Sequence, residues 1–352
     1  MTYRIAVVGA GDWARRHHLP ALADDARAEI AVIVDADADR RAQAGAQFGA
    51  PTASSLDDAL TEAELDGVVV ATPHSTHAPL VTTAMDAGLA VLVEKPLTLT
   101  SAEAIEIVHR VRETDALLMV GYTAQYTQAA SAVRDWVTGS IGELRQVIVE
   151  FSSRAGALYA KTAPDDARSA YSAASGGGQA TTQLTHAFAA ICYATGRSFT
   201  DVSAFTAERG GPVDVDDVVA FRLEGGVTGA AASTGTLPPG LPMRHVVRYI
   251  GSDGIVEHDL LMSTARLDDV DGSSRQVSPP HSEVPYPASA PVRAFLGMLD
   301  AAADGDARTD MVSRTAHNPA PVWPAAAAVA GIEAVLRSAD SGRRERAVFV
   351  PR

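Results

Sequence analysis

Short runs of branched apolar residues recur through the first third of the chain. They are Tyr3–Val8, Ile30–Val34, Gly67–Ala71, Ala90–Val93 and Ala116–Val120. Apart from Arg4 in the first, they are apolar throughout rather than alternating, which predicts strands covered on both faces, as in a parallel sheet. Helical patterns separate them at Arg40–Phe48, Ser55–Leu60 and Ala78–Ala87, and again from Thr100 or Ser101 to Glu113. Alternation of this kind predicts a doubly wound α/β sheet over residues 1–122. From Tyr126 the pattern changes. A helix at Ala129–Thr138 and a strand at Gln146–Phe151 precede a polar, irregular stretch, Ala155–Ser175, which reads as a mobile loop. After an apolar helix come six strand patterns: Val202–Ala207, Asp217–Leu223, Gly226–Thr236, His245–Gly251, Gly254–Asp259 and Ser263–Asp268. Short turns such as Glu224-Gly-Gly and Ser252-Asp-Gly join them, so residues 123–352 are expected to form an α+β domain with a large, mostly antiparallel open sheet. Helices at Pro291–Ala303 and Pro324–Asp340 and a short strand at Arg346–Val350 complete the reading.

A chain of 352 residues suits two domains. No apolar run approaches the ~18 residues of a membrane span, and Met1-Thr-Tyr-Arg-Ile leads directly into a strand. The one cysteine, Cys192, lies in an apolar run and reads as a packing residue, which leaves no disulfide pair and no metal site to expect. These features together predict a cytoplasmic protein with no membrane partner. The net charge of −14, with no Lys/Arg-rich block, argues against nucleic acid as a partner.

The candidate chemistry lies at the carboxyl ends of the strands. Gly9-Ala10-Gly11-Asp12-Trp13-Ala14 follows the first strand and opens a helix, the context in which G-x-G-x-x-G/A binds a dinucleotide. Gly9 permits the tight turn, Gly11 lets a pyrophosphate approach, and Ala14 packs helix on strand. Asp35 ends the second strand, where an acid accepts from the adenosine ribose; it favours NAD over NADP, although Arg40 and Arg41 could support a phosphate. Thr72-Pro73-His74-Ser-Thr-His77 should border the cofactor, and the two histidines read equally as cofactor contacts or helix-cap residues. Glu94-Lys95-Pro96 ends the fourth strand pattern. Only Lys95 and Lys161 of the 29 cationic residues are lysines, and lysine, unlike arginine, can lose its proton when desolvated. In the second domain Gln179, Thr182, Gln183 and His186 fall at i, i+3, i+4 and i+7 on one helix face after the flexible run Gly176-Gly-Gly178, a candidate ligand surface.

These motifs, with His18-Leu-Pro-Ala-Leu22, Thr72-Pro73 and His77, Gly176-Gly-Gly178 and His186, resemble the Gfo/Idh/MocA oxidoreductases, a family that includes glucose–fructose oxidoreductase and inositol dehydrogenases. The resemblance covers nearly the whole chain, and Glu94-Lys95-Pro96 is its most specific element. It implies a Rossmann domain, NAD (NADP possible), and a sugar, cyclitol or polyol substrate. It also implies Lys95 and His186 as the catalytic pair, with Tyr122 and Gln125 beside the substrate residues named above. A homodimer or homotetramer through the C-terminal sheet follows from it as well. Two departures stand out: Thr182 occupies the family's Asp position and Gln125 a frequent Arg position. Threonine cannot serve as an acid or base near neutral pH, so proton transfer would rest on Lys95 and on His186, whose reference pKa is near ~6.5. The resemblance leaves three activities open: net dehydrogenation, glycoside cleavage through transient oxidation, and dinucleotide-dependent regulation without catalysis.

Overall fold

A computed structural model describes residues 1–282, 284–304 and 318–349 of the protein. The strands are β1 (Tyr3–Val8), β2 (Ala28–Val34), β3 (Thr52–Ala53), β4 (Gly67–Val70), β5 (Ala90–Val93), β6 (Leu118–Val120), β7 (Leu144–Ser152), β8 (Phe199–Ala207), β9 (Asp216–Leu223), β10 (Thr228–Thr234), β11 (Arg244–Gly251), β12 (Gly254–Asp259), β13 (Thr264–Asp269), β14 (Ser274–Val277) and β15 (Glu345–Arg346). The helices are α1 (Leu19–Ala23), α2 (Ala38–Phe48), α3 (Leu56–Glu62), α4 (His77–Asp86), α5 (Ser101–Thr114), α6 (Gln128–Gly139), α7 (Gly156–Tyr159), α8 (Thr185–Thr195), α9 (Ala290–Ala303) and α10 (Val322–Ser341). Val350, assigned to the last strand from the sequence, lies outside the described residues.

The chain divides into two compact units. The first comprises Met1–Thr98, Glu106–Gly121 and Ala288–Trp323; the second comprises Leu99–Ile105, Tyr122–Pro287 and Pro324–Arg352. In the first, six parallel strands run in the order β3-β2-β1-β4-β5-β6. β4 and β5 are buried along their whole length, as unalternated apolar runs require. The chain winds outward in both directions from the β1/β4 pair, so the crevice at their carboxyl ends is the topological switch point where such sheets bind ligands. Residues 288–323 join this unit although they lie far down the chain. Phe295 of α9 is fully buried near Gly67, and Asp300 pairs with Tyr3 and Arg27.

In the second unit, nine strands run in the order β14-β13-β12-β11-β7-β10-β9-β8-β15, all antiparallel except the β7/β10 pair. Alternation is clean in β9, where Asp217, Val219, Phe221 and Leu223 face inward and Val218, Ala220 and Arg222 face outward. The inner face is apolar over most of its area, with Val147, Val149, Phe221, Val247 and Tyr249 all buried. α8, buried at nearly every position, is a core helix. The outer face carries Phe205 at 81% exposure and Val218 at 60%. Residues 155–175 differ from the loop expected of them. Ala155 and Tyr159 are buried with Val213 and Val215, and Tyr171 packs on this cluster, so the segment has a small core of its own. Among the described residues no uninterrupted apolar run has the length of a membrane span, since Glu333, Arg337 and Asp340 break α10, but α10 as a whole is long and apolar enough to cross a membrane by length and composition; 78% of the relevant window is buried within the protein.

Candidate functional site

In the first unit, the glycine turn, the loop after β4 and the end of β5 meet at one edge of the sheet. Gly9 has φ +98, and a Cβ there would lie 2.7 Å from the Ala71 carbonyl carbon, so the turn tolerates only glycine. A Cβ on Gly11 would meet nothing within 4 Å, which leaves open space above the turn for a pyrophosphate. The helix that follows begins with a π-helical turn, Ala14–His18, closed by the Leu19 N–H on the Ala14 carbonyl. Asp12 pairs with Arg16 on its exposed side. The Ala10 N–H donates to Asp35 Oδ2 at 2.8 Å, so the acid at the end of β2 braces the turn directly.

Glu94 is the hub of the buried polar groups here. The Trp13 indole N–H donates to Glu94 Oε1 at 2.8 Å, and His18 Nε2 lies 2.9 Å from the same oxygen. The Lys95 backbone N–H donates to Oε2 at 3.2 Å. Burial alone would raise the Glu94 pKa, but His18 and the Lys95 charge outweigh it and hold the carboxyl below its ordinary range. Gly121 is required beside it, since a Cβ there would come within 2.9 Å of Oε1. The ammonium of Lys95 is pushed below its ordinary pKa by burial, against the opposing pull of Glu94.

His77 is expected from the sequence as a cofactor contact or a helix-cap residue. The structure buries it completely, with Nδ1 2.7 Å from the Pro96 carbonyl and Nε2 3.1 Å from the Thr72 carbonyl. It therefore ties the loop after β4 to the turn after β5. His74 lies edge-on to His77 with ring centroids 5.8 Å apart. Pro73 precedes the 3-10 turn His74–Thr76, and Thr72 Oγ1 accepts from Thr76 Oγ1 at 2.7 Å.

In the second unit the inner face of the sheet turns polar at one end. Strand register sets His245, Phe151, Ser233 and Asp217 side by side on β11, β7, β10 and β9. Phe151 stacks on His245 at 3.8 Å and, more distantly, on His186 at 6.4 Å; Tyr122 meets His186 edge-on at 5.8 Å. The Tyr122 hydroxyl is 2.8 Å from Thr185 Oγ1. Gln125 is buried, in the turn Thr123–Tyr126.

The four-residue helix face is corrected by a second π-helical turn, Ala180–Leu184, which shifts the phase that i, i+3, i+4 spacing assumes. Gln179 is fully buried; its Nε2 donates to Ser233 Oγ at 3.0 Å and its Oε1 accepts from Ser153 Oγ at 3.2 Å. Thr182 is buried too, donating to the Gly178 carbonyl at 2.8 Å and in contact with the Tyr159 hydroxyl. Only Gln183 and His186 keep part of their surface exposed. The glycine run is not a flexible leader: Gly176 and Gly178 have φ +73 and +118, and a Cβ on Gly177 would strike the Tyr171 backbone.

Asp214 and Asp217 were not singled out from the sequence. Asp214 Oδ2 accepts from the Ala180 N–H at 2.6 Å, and its carbonyl accepts from the Gln179 N–H at 2.9 Å, which seats the start of the helix. Burial first, then the neighbouring Asp214 carboxylate, pushes Asp217 up to about 9, so this pair holds a proton at neutral pH. A readable signal existed: Asp217 falls on the inward register of an otherwise apolar alternating strand. Among the described residues, no group of three or more His, Cys, Asp or Glu is placed to hold a metal ion.

Comparison with known proteins agrees with this geometry. Residues 3–122 match the family model described as an oxidoreductase family with an NAD-binding Rossmann fold, and residues 129–257 match the GFO/IDH/MocA C-terminal domain. An inositol 2-dehydrogenase of Leifsonia xyli subsp. xyli is 37% identical over 143 residues, 40% of this chain and 42% of that protein. A dTDP-3,4-didehydro-2,6-dideoxy-alpha-D-glucose 3-reductase of Streptomyces violaceoruber is 33% identical over 150 residues, 42% of this chain and 44% of that protein. The chain thus aligns with less than half the length of these relatives. The crystal structure of GenD2 from gentamicin A biosynthesis, in complex with NAD, superposes with a TM-score of 0.76 at 26% identity, covering 98% of this chain and 96% of that one. The chain belongs to the Gfo/Idh/MocA oxidoreductase family, with that family's NAD-binding Rossmann fold ahead of its C-terminal domain.

Proposed function

We propose that the protein is an NAD-dependent oxidoreductase acting between a secondary hydroxyl and the corresponding ketone of a sugar, cyclitol or related polyol. The observation that carries this reading is the place of Lys95 after β5, the strand next to the β1/β4 switch point of an NAD-binding sheet: its backbone N–H is held by Glu94, the turn that follows is braced by His77, and burial pushes the pKa of its amine down. The names of the inositol and deoxysugar relatives support the substrate class.

Oxidation removes a hydride from carbon and a proton from its hydroxyl. A bound nicotinamide supplies the hydride acceptor. The open backbone at Gly9–Ala14 and the Asp35 carboxylate would hold the dinucleotide. Lys95 and His186 are the two groups assigned to the hydroxyl proton, Lys95 also stabilising the developing alkoxide. Thr182 is committed to the Gly178 carbonyl and Tyr159 and takes no part in proton transfer. The exposed Phe205 and Val218 on the outer face of the sheet support association of copies through that face.

The test is absorbance of reduced cofactor on mixing the protein with NAD and a panel of sugars, inositols and amino-sugars. Lys95→Met should abolish turnover and leave NADH binding intact. Full turnover by that variant would refute the assignment of Lys95. Release of a leaving group without net reduction would replace dehydrogenation by cleavage.

A further inference from the structure

Glu94 follows β5 and directly precedes Lys95, and its two oxygens are engaged differently. Oε2 accepts the Lys95 backbone N–H. Oε1 is shared by the Trp13 indole N–H and by His18 Nε2, 2.9 Å away. Trp13 and His18 are five residues apart, a spacing that a regular α-helix sets on diverging sides. The π-helical turn Ala14–His18 has i→i+5 bonding, which brings residues at that spacing to one side. An ionised carboxylate only accepts, so the proton between His18 and Glu94 lies on Nε2. His18 is 1% exposed, and its Nδ1 is buried with no hydrogen-bond partner among the described residues. A second proton there would be a buried donor with nothing to receive it. His18 is thus a neutral ring, and Glu94 keeps its full charge beside Lys95. His17, next to Trp13, and the fully buried His77 also feel that charge, but burial pushes both below the usual histidine range.

We propose that His18 is a positioning residue for Lys95: as a neutral donor, with Trp13 beside it, it turns the Glu94 carboxylate away from the Lys95 amine. The amine then keeps a proton it can exchange with a substrate hydroxyl. Without the His18 donor the carboxylate swings toward the ammonium and holds that proton more firmly, because the attraction of two unit charges grows steeply as they close in a buried site. A charged His18 would act on Lys95 by its field instead, and any donor of the same reach but no charge would fail to replace it. This inference rests on the reading of Lys95 as one of the two groups that handle the hydroxyl proton.

The experiment is an NMR pH titration of the full-length protein, isotope-labelled at lysine Cε, without cofactor or substrate. The chain holds two lysines, Lys95 and Lys161, and the signal lost in Lys95→Met belongs to Lys95. His18→Phe, a ring without a donor, should raise the Lys95 pKa by about one pH unit, as closer approach of a unit charge requires. His18→Gln, whose amide restores an uncharged N–H toward Oε1, should return it to the wild-type value. Trp13→Phe takes the other donor from the same oxygen at a position 39% exposed, where folding is not at risk, and should raise it in the same direction. A Lys95 pKa that fails to rise in His18→Phe or in Trp13→Phe would overturn the proposal. So would a rise in His18→Gln as large as in His18→Phe or, should His18→Phe not fold, as large as in Trp13→Phe. The titration needs no turnover, so the redox reading stands or falls separately, on the absorbance assay with NAD.

Discussion

Replacing Asp217 by asparagine should stabilise the protein above neutral pH, by an amount that grows with pH. Asp217 is 1% exposed and its carboxyl is raised to about 9 by burial and by Asp214. In the unfolded chain the same group releases its proton near ~3.9. Across the window between these values the native state binds one more proton than the unfolded state. Stability is therefore full below the lower value and falls as pH rises toward the upper one, by about 1.4 kcal/mol per pH unit. From about pH 5 to about pH 8 the wild-type protein should lose up to about 4 kcal/mol on this account. Asparagine keeps the shape and a donor toward Asp214 but has no proton to lose. Urea unfolding followed by circular dichroism, on both proteins at the two pH values, reads the difference. A gap that stays constant with pH, or a variant less stable than wild type at the higher value, would refute the reasoning.

Three other outcomes are expected. His77→Ala removes the imidazole packed between the Thr72 and Pro96 carbonyls; it should lower kcat about tenfold through roughly 1–2 kcal/mol of lost positioning, with NADH affinity nearly unchanged, and undiminished kcat would show that the clamp is dispensable. Gly178→Ala places a Cβ against the Asp214 carboxylate at φ +118 and should cost about 3 kcal/mol, visible as a lower Tm; an unshifted Tm would contradict the tight fit. Phe205→Glu tests the proposed association of copies: it puts a charge on the outer face of the nine-stranded sheet and should reduce the mass seen by light scattering, whereas an unchanged mass would refute association through that face.

The first sheet was legible because its strands are short branched runs and its loops carry glycine, aspartate and lysine at their carboxyl ends. Position in sequence sufficed there, since a parallel sheet brings all such ends to one edge. What the residues around Glu94 do to one another was not legible: Trp13, His18 and Lys95 are far apart or merely adjacent in the chain, and only folding shows them sharing one carboxylate. On the second unit, the spacing of Gln179, Thr182, Gln183 and His186 misled because it assumed a regular helix. The π-helical turn moved two of the four into the core, where Ser153, Ser233 and Tyr159 had matching polar groups ready. Periodicity carries no sign of such a turn. The return of α9 to the first unit was equally invisible, since an amphipathic helix does not state which sheet it covers.

That return has a consequence for how the protein is made. The chain passes between its two units five times, and the last part of the first unit is supplied by residues 288–323. As the polypeptide leaves the ribosome, the six parallel strands emerge early, but Phe295 is not yet there to cover Gly67, nor Asp300 to meet Tyr3 and Arg27. The earlier unit is completed only after most of the later one, all but its last helix and strand, has been synthesised. Neither unit is a continuous stretch of chain, so cutting at residue 122 would separate the sheet from its own final helix.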